Sequence, residues 1–270
     1  MPSDLELLLE ATRLLEKRQT LAFCIVIEKR GHGPRDVGAK MIVAEDGKTF
    51  GTIGGGDFER TLIDECLKAI KEHRSRKVTF NLSKDPKDGA VGTGLICGGE
   101  LTVLVDIMEP APRLIIVGSG HVALPLAKLA STAGFKIIVV DDERKLVTKE
   151  NFPMAEDVIA GDFADILSGF DIGPHDFAVV THGEPEHDYT AVKKLIEKNP
   201  AYIGLLGSPK KAAIITKRLK AEGVSDAQLK TLRIPVGLEI GAETPEEIGI
   251  SILGQIIQFR RQQRIDEECA

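Results

Sequence analysis

The chain has 270 residues, of which 43% are hydrophobic and 28% charged, with a formal net charge of -6. Such a composition fits a globular protein of one large or two modest domains, with enough apolar material for a sizeable core. Neither half is basic, aromatic residues make up 4% and tryptophan is absent, which argues against a nucleic-acid binder with a basic face and stacking rings.

No apolar run reaches the length of a membrane span, and acids stand near Met1 where a signal peptide would carry Lys or Arg. The expectation is a cytoplasmic protein with neither membrane nor nucleic acid as partner. Four cysteines (Cys24, Cys66, Cys97 and Cys269) include no C-x-x-C pair. Zinc ribbons and redox dithiols are therefore disfavoured.

Residues 1–110 read as a mixed α+β domain. Leu5, Leu8, Leu9, Thr12 and Leu15 recur with helical spacing, and Ser3 with Glu6 has the form of a capping box. Residues 21–28 form a β-type run carrying Cys24, followed by a polar loop, 31–38, with His32 and Arg35 as candidates for anion contact. Runs 40–44 and 48–53 flank Glu45-Asp46-Gly47 as a hairpin, and a helix spans 57–73 with Asp57 as its potential cap. Further strands are expected at 77–82 and 100–107.

Two prolines at 110 and 112 mark a linker, and from 111 to 270 the pattern changes. Short apolar runs at 114–117, 136–140, 157–159, 177–180 and 202–206 alternate with helical segments, including 122–133, 188–198 and 210–222. Alternation of this kind predicts a Rossmann-like, doubly wound parallel sheet. A last helix, 245–264, begins with Thr244 as cap and Glu247 three residues on. The fold class is thus α/β, with an N-terminal α+β domain (1–110) and a Rossmann-like C-terminal domain (111–270).

Four glycine-rich or polar loops carry the candidate chemistry. The run ending at Val117 is followed by Gly118-Ser-Gly120-His121-Val-Ala123, the G-x-G-x-x-A form of the dinucleotide fingerprint in its strand-turn-helix setting. Asp141, at the end of the next strand, is placed to take ribose hydroxyls, which favours NAD-like or plain nucleotide ligands over NADP. Gly54-Gly55-Gly56 opens directly into a helix, where backbone N–H groups and the helix terminus can dock an anion, or simply make a tight turn. Cys97-Gly98-Gly99 offers a soft thiol, or a small buried hydrophobe.

The fourth loop, Thr181 to Asp188, follows a strand at the edge where open α/β sheets place ligands. Its two histidines and its carboxylates are of metal-ligating types, but their spacing matches no common zinc motif, so no metal is assigned. Asp188 is read as the cap of the next helix. His182 is the better functional candidate, with Glu184, Glu186 and Asp188 as the acids nearest in sequence.

Taken in order, these segments resemble the xanthine dehydrogenase accessory factor family (XdhC/CoxI type). The resemblance rests on Gly33-Pro-Arg35, Gly51-Thr-Ile-Gly-Gly-Gly56 with Glu59, Cys97-Gly-Gly99, Gly118-Ser-Gly-His-Val-Ala123 and Thr181-His182. Tyr202-Ile-Gly-Leu-Leu-Gly-Ser208 and Pro235-Val-Gly-Leu-Glu-Ile-Gly241 extend it towards the end of the chain. It implies a maturation factor that binds molybdenum cofactor, as molybdopterin or its dinucleotide form, and assists its sulfuration by a cysteine desulfurase. The cargo then passes to a xanthine dehydrogenase-type molybdenum hydroxylase, and the factor is expected to be a homodimer.

The cofactor-binding set implied is Arg35, Gly54, Gly55, Gly56, Cys97, Gly98, Gly99, Gly118, Gly120, His121, Asp141 and His182. NAD or another nucleotide is a further candidate ligand of the Rossmann half. Two positions depart from the family pattern: Asp57 stands where a cysteine is usual, and Glu184 where a second histidine is usual. The competing expectation is an NAD-dependent oxidoreductase, with His182 beside the nicotinamide.

Overall fold

The computed structural model describes residues 2–82, 91–92 and 99–265, arranged as two compact units divided between Pro110 and Ala111. Cys97 and Gly98 lie outside the described residues, as does Cys269. Among the described residues no helix is long and apolar enough to cross a membrane.

The N-terminal unit holds helix α1 (Asp4–Glu16), strands β1 (Leu21–Arg30), β2 (Lys40–Ala44) and β3 (Thr49–Gly51), and helix α2 (Gly56–Lys71). Strands β4 (Arg76–Asn81), β5 (Val91–Gly92) and β6 (Glu100–Met108) complete it. The six strands form one sheet in the order β3-β2-β1-β6-β4-β5, antiparallel except for the β4–β5 pair. Alternation along β1 splits its side chains between two cores. Ala22, Cys24 and Val26 face α2 through Phe58, Leu62 and Cys66, while Leu21 and Phe23 face α1.

The α1 capping box is formed, with Ser3 Oγ accepting from the Glu6 N–H and Glu6 accepting from the Ser3 N–H. Its buried face differs from the expected one: Leu7, Ala11 and Leu14 pack inward, whereas Leu5, Leu8 and Leu9 are exposed. Both sets keep helical spacing, so periodicity alone does not choose between two apolar stripes.

The C-terminal unit is made of β7 (Arg113–Val117), α3 (Ala123–Thr132), β8 (Lys136–Asp141), β9 (Asp157–Ala160), α4 (Phe163–Gly169) and β10 (Asp176–Val180). It continues with α5 (Pro185–Lys198), β11 (Tyr202–Leu205), α6 (Pro209–Ala221), α7 (Asp226–Leu229), β12 (Leu232–Arg233) and α8 (Pro245–Ile265). All its strand pairs are parallel, in the order β12-β11-β10-β7-β8-β9. Counted along this unit, that is the 3-2-1-4-5-6 order of a Rossmann sheet, whose switch point falls between β7 and β10.

The four central strands, β7, β8, β10 and β11, are buried on both faces, as a parallel sheet between helix layers requires. Ile115, Val117, Ile138 and Val140 face α4 and α5, while Leu114, Ile116, Ile137 and Val139 face α3 and α8. Arg113 clamps β7 to β10 through two bonds to Asp176, Nε to Oδ1 at 2.8 Å and Nη2 to Oδ2 at 2.7 Å. The Thr244–Glu247 capping bonds begin α8 as expected.

Candidate functional site

In the N-terminal unit, three of the glycine-bearing segments meet at one end of the sheet. A Cβ on Gly54 (φ +148°) would stand 2.4 Å from Pro34 Cγ, and one on Gly99 would stand 1.9 Å from the His32 carbonyl oxygen. These two glycines therefore let the 31–38 loop, which carries the half-buried Arg35, press against the triple glycine and the start of β6. Gly55 and Gly56 have positive φ, and nothing stands within 4 Å of a Cβ added at either.

The Gly55 backbone already holds a carboxylate from the chain itself. Glu59 Oε2 accepts from the Gly55 N–H at 2.8 Å and from Thr52 Oγ1 at 2.5 Å, while Thr52 Oγ1 accepts from the Gly54 N–H at 3.2 Å. Asp57 does not cap α2: the N-cap is Gly55, without a side-chain cap, and Asp57 sits exposed 3.7 Å from Arg60. The reason is steric order, since Glu59 lies further along the first turn and reaches back over the glycines.

In the C-terminal unit, the fingerprint turn lies at the switch point. Gly118 (φ +103°) packs so closely that a Cβ would stand 2.5 Å from the His182 backbone nitrogen. Its role is to let the β7 and β10 loops touch. Gly120 is exposed, and nothing lies nearer than 3.8 Å to an added Cβ. Gly120 and His121 line a cavity of about 530 Å³ together with Ser119, Lys128, Phe152 and Glu246.

Asp141 is 3% exposed and turned onto the turn itself. Its Oδ2 accepts from the Ser119 N–H and, at 2.6 Å, from Ser119 Oγ, while Oδ1 accepts from the Glu143 N–H at 2.9 Å. Burial pushes its carboxyl up, but these hydrogen bonds outweigh burial and hold it below the ordinary range. A ribose hydroxyl approaching Asp141 would compete with Ser119.

His182 follows β10 and is mostly buried. Its Nε2 lies 3.3 Å from Asp142 Oδ1, and its Nδ1 is buried without a hydrogen-bond partner. The three acids nearest it in sequence turn elsewhere. Asp188 is fully buried inside α5, where it accepts from the Gly183 N–H and pairs with Lys211. Glu186 pairs with Arg218, and Glu184 Oε2 sits 3.0 Å from His187 Nδ1, off the line of a hydrogen bond.

Asp188 is thus not the N-cap of α5; that position is Glu184, with Pro185 opening the helix. Sequence reasoning did not bring Asp142, 40 residues before His182, together with it, and left His187 without a role. Only strand order brings them together, since β7 alone separates β8 from β10.

Two units, one mostly antiparallel with a glycine-lined end and one with a cavity at its fingerprint turn, define a two-part α/β protein with a Rossmann-type second half. Comparison with known families narrows the class. The XdhC Rossmann domain matches residues 114–256, and the XdhC and CoxI family matches residues 14–81. The chain belongs to the XdhC family.

Among curated relatives, it is 36% identical over 252 residues to the uncharacterized protein YqeB of Escherichia coli (strain K12), spanning 93% of this chain and 46% of the relative. It is 41% identical over 159 residues to a probable xanthine dehydrogenase subunit of Bacillus subtilis (strain 168), spanning 59% of this chain and 46% of that one. The chain therefore spans about half the length of these two relatives. The molybdenum cofactor insertion chaperone PaoD of Escherichia coli (strain K12) is 21% identical over 294 residues, spanning 89% of this chain and 84% of the chaperone. A solved xanthine dehydrogenase structure from Bacillus halodurans is 27% identical with a TM-score of 0.53, covering 93% of this chain and 95% of the other.

Proposed function

We propose that this chain is a maturation factor that carries molybdenum cofactor to a xanthine dehydrogenase-type molybdenum hydroxylase. Likeness across most of both chains to a molybdenum cofactor insertion chaperone, within the XdhC family, is the observation that carries the reading. The cargo is a pterin with an anionic phosphate or dinucleotide tail and a dithiolene-held metal. Chemically, it calls for backbone N–H groups and cations at one end and a soft ligand at the other.

In this reading Arg35 and Gly54–Gly56 receive the anionic part, which displaces Glu59 from the Gly55 N–H, and Cys97, between the triple glycine and β6 in sequence, offers its thiol to the metal end, flanked by Gly98 and Gly99. Gly120 and His121 receive a nucleotide at the Rossmann half, on a turn that Gly118 and Asp141 hold in shape. The exposed Gly120 and the cavity beside it support that role. A cysteine desulfurase supplies the sulfur for the cargo, and a second copy of the chain completes a homodimer.

The carrier reading is preferred to the oxidoreductase one because His182 does not line the cavity at the fingerprint and faces Asp142 instead. The test is cargo retention. The chain purified from cells that make molybdenum cofactor is oxidised, and the released pterin is measured by fluorescence. Near-stoichiometric pterin in the native chain, reduced in Cys97→Ser, is expected; absence of pterin from the native chain would overturn the proposal.

A further inference from the structure

We propose that Asp142, His182 and His187 form a binding site for a single divalent transition-metal ion at the carboxyl edge of the Rossmann sheet. The three side chains come from different places: the residue after β8, the loop after β10, and the first turn of α5. One ligand atom from each lies within 4.8 Å of the others. His182 Nε2 is 3.3 Å from Asp142 Oδ1, and His187 Nε2 is 3.8 Å from Asp142 Oδ2. Two atoms bound to one tetrahedral ion at about 2.0–2.1 Å stand about 3.3 Å apart. A modest closure of the three side chains would therefore bring them around an ion.

The donor set is chemically selective. Two neutral imidazoles and one carboxylate suit zinc, iron(II) or cobalt(II), and disfavour the all-oxygen ions magnesium and calcium. Three protein ligands leave a position open, which is the pattern of a site that exchanges water or binds an anion. His187 and Asp142 are 42% and 39% exposed, so the open side faces solvent.

The imidazoles are also held in place. Their rings meet edge to face with centroids 4.8 Å apart, and both lean on the buried ring of Phe163, at 5.2 Å and 5.7 Å. Glu184 Oε2 lies 3.0 Å from the other nitrogen of His187, where an outer carboxylate orients a ligating histidine. A small rotation of Glu184, itself exposed, would align that bond. Simple ion pairing explains the group less well, since it asks one carboxylate to serve two touching imidazoles. Spacing in the sequence assigns no metal here because the third ligand is remote along the chain and Glu184 replaces a histidine.

This inference stands apart from the cargo reading, and its test needs no cofactor. The full chain, stripped of metal with a chelator, is titrated with cobalt(II) and followed by visible absorption. One equivalent should produce ligand-field bands of a low-symmetry site, which zinc then displaces. His187→Gln should weaken binding at least about tenfold, with an unchanged Tm in the absence of metal and loss of the metal-dependent rise in Tm. Glu184→Gln should weaken it less. Binding that is unchanged in His187→Gln, no binding at millimolar cobalt, or thiolate-to-cobalt charge-transfer bands that locate the ion on a cysteine would each overturn the proposal.

Discussion

Replacing Gly118 and Gly120 by alanine, one at a time, separates what the fingerprint glycines do for the fold from what they leave open. At Gly118 the backbone has φ +103°, and a Cβ would lie 2.5 Å and 2.6 Å from the His182 nitrogen and Cα. The neighbours are backbone atoms, so no rotamer change relieves the clash. An unfavourable left-handed conformation costs about 1–2 kcal/mol, and overpacking adds about 1–3 kcal/mol. The sum, about 2–5 kcal/mol, corresponds to a fall in Tm of roughly 5–20 °C for a unit of this size.

At Gly120 there is neither a positive φ nor a contact nearer than 3.8 Å. Alanine there should leave stability within about 1 kcal/mol of the native chain and can raise it slightly. Urea unfolding and thermal melts of both variants are the assay. Equal stability of the two variants, in either direction, would refute the assignment of Gly118 to packing and Gly120 to an open surface.

Asp188→Asn should cost about 3 kcal/mol, because Lys211 loses its buried partner. Adding Lys211→Met should restore much of that loss in a double-mutant cycle, and additive losses would contradict the pairing. Cys24 and Cys66 place their sulfurs 3.2 Å apart in the N-terminal core, and this contact and burial push the Cys24 thiol well up. The unfolded thiol ionises near pH 8.5, so this contribution to stability is full below that pH and declines above it. Iodoacetamide at pH 8.5 should leave Cys24 unmodified in the native chain; rapid labelling without unfolding would count against it.

Much of the architecture is legible in the sequence because buried parallel strands are written as continuous apolar runs. Leu114–Val117 and Phe177–Val180 need no tertiary information to be read. Helix α4 is harder to read, since seven residues with only Phe163 and Leu167 buried carry too little periodicity. At the sites, residue types are readable but pairings are not. Asp141 lies where a ribose acid is expected, yet Ser119 already engages it. Glu59, rather than an outside anion, fills the Gly55 N–H. Both pairings depend on how a turn is folded, and a side chain's reach is not written in its spacing. Asp142 shows the same limit across 40 residues: only the strand order places it against His182.

The carrier reading is tested most directly by transfer. The purified chain, loaded with molybdenum cofactor, is added with a cysteine desulfurase and cysteine to an immature xanthine dehydrogenase-type hydroxylase, and hydroxylase activity is followed. Activity should rise with added chain and fall when Cys97→Ser is used, while the chain alone turns over no NAD(H). No gain in activity from the loaded chain, or robust NADH oxidation by the chain alone that vanishes in His182→Ala, would contradict the account.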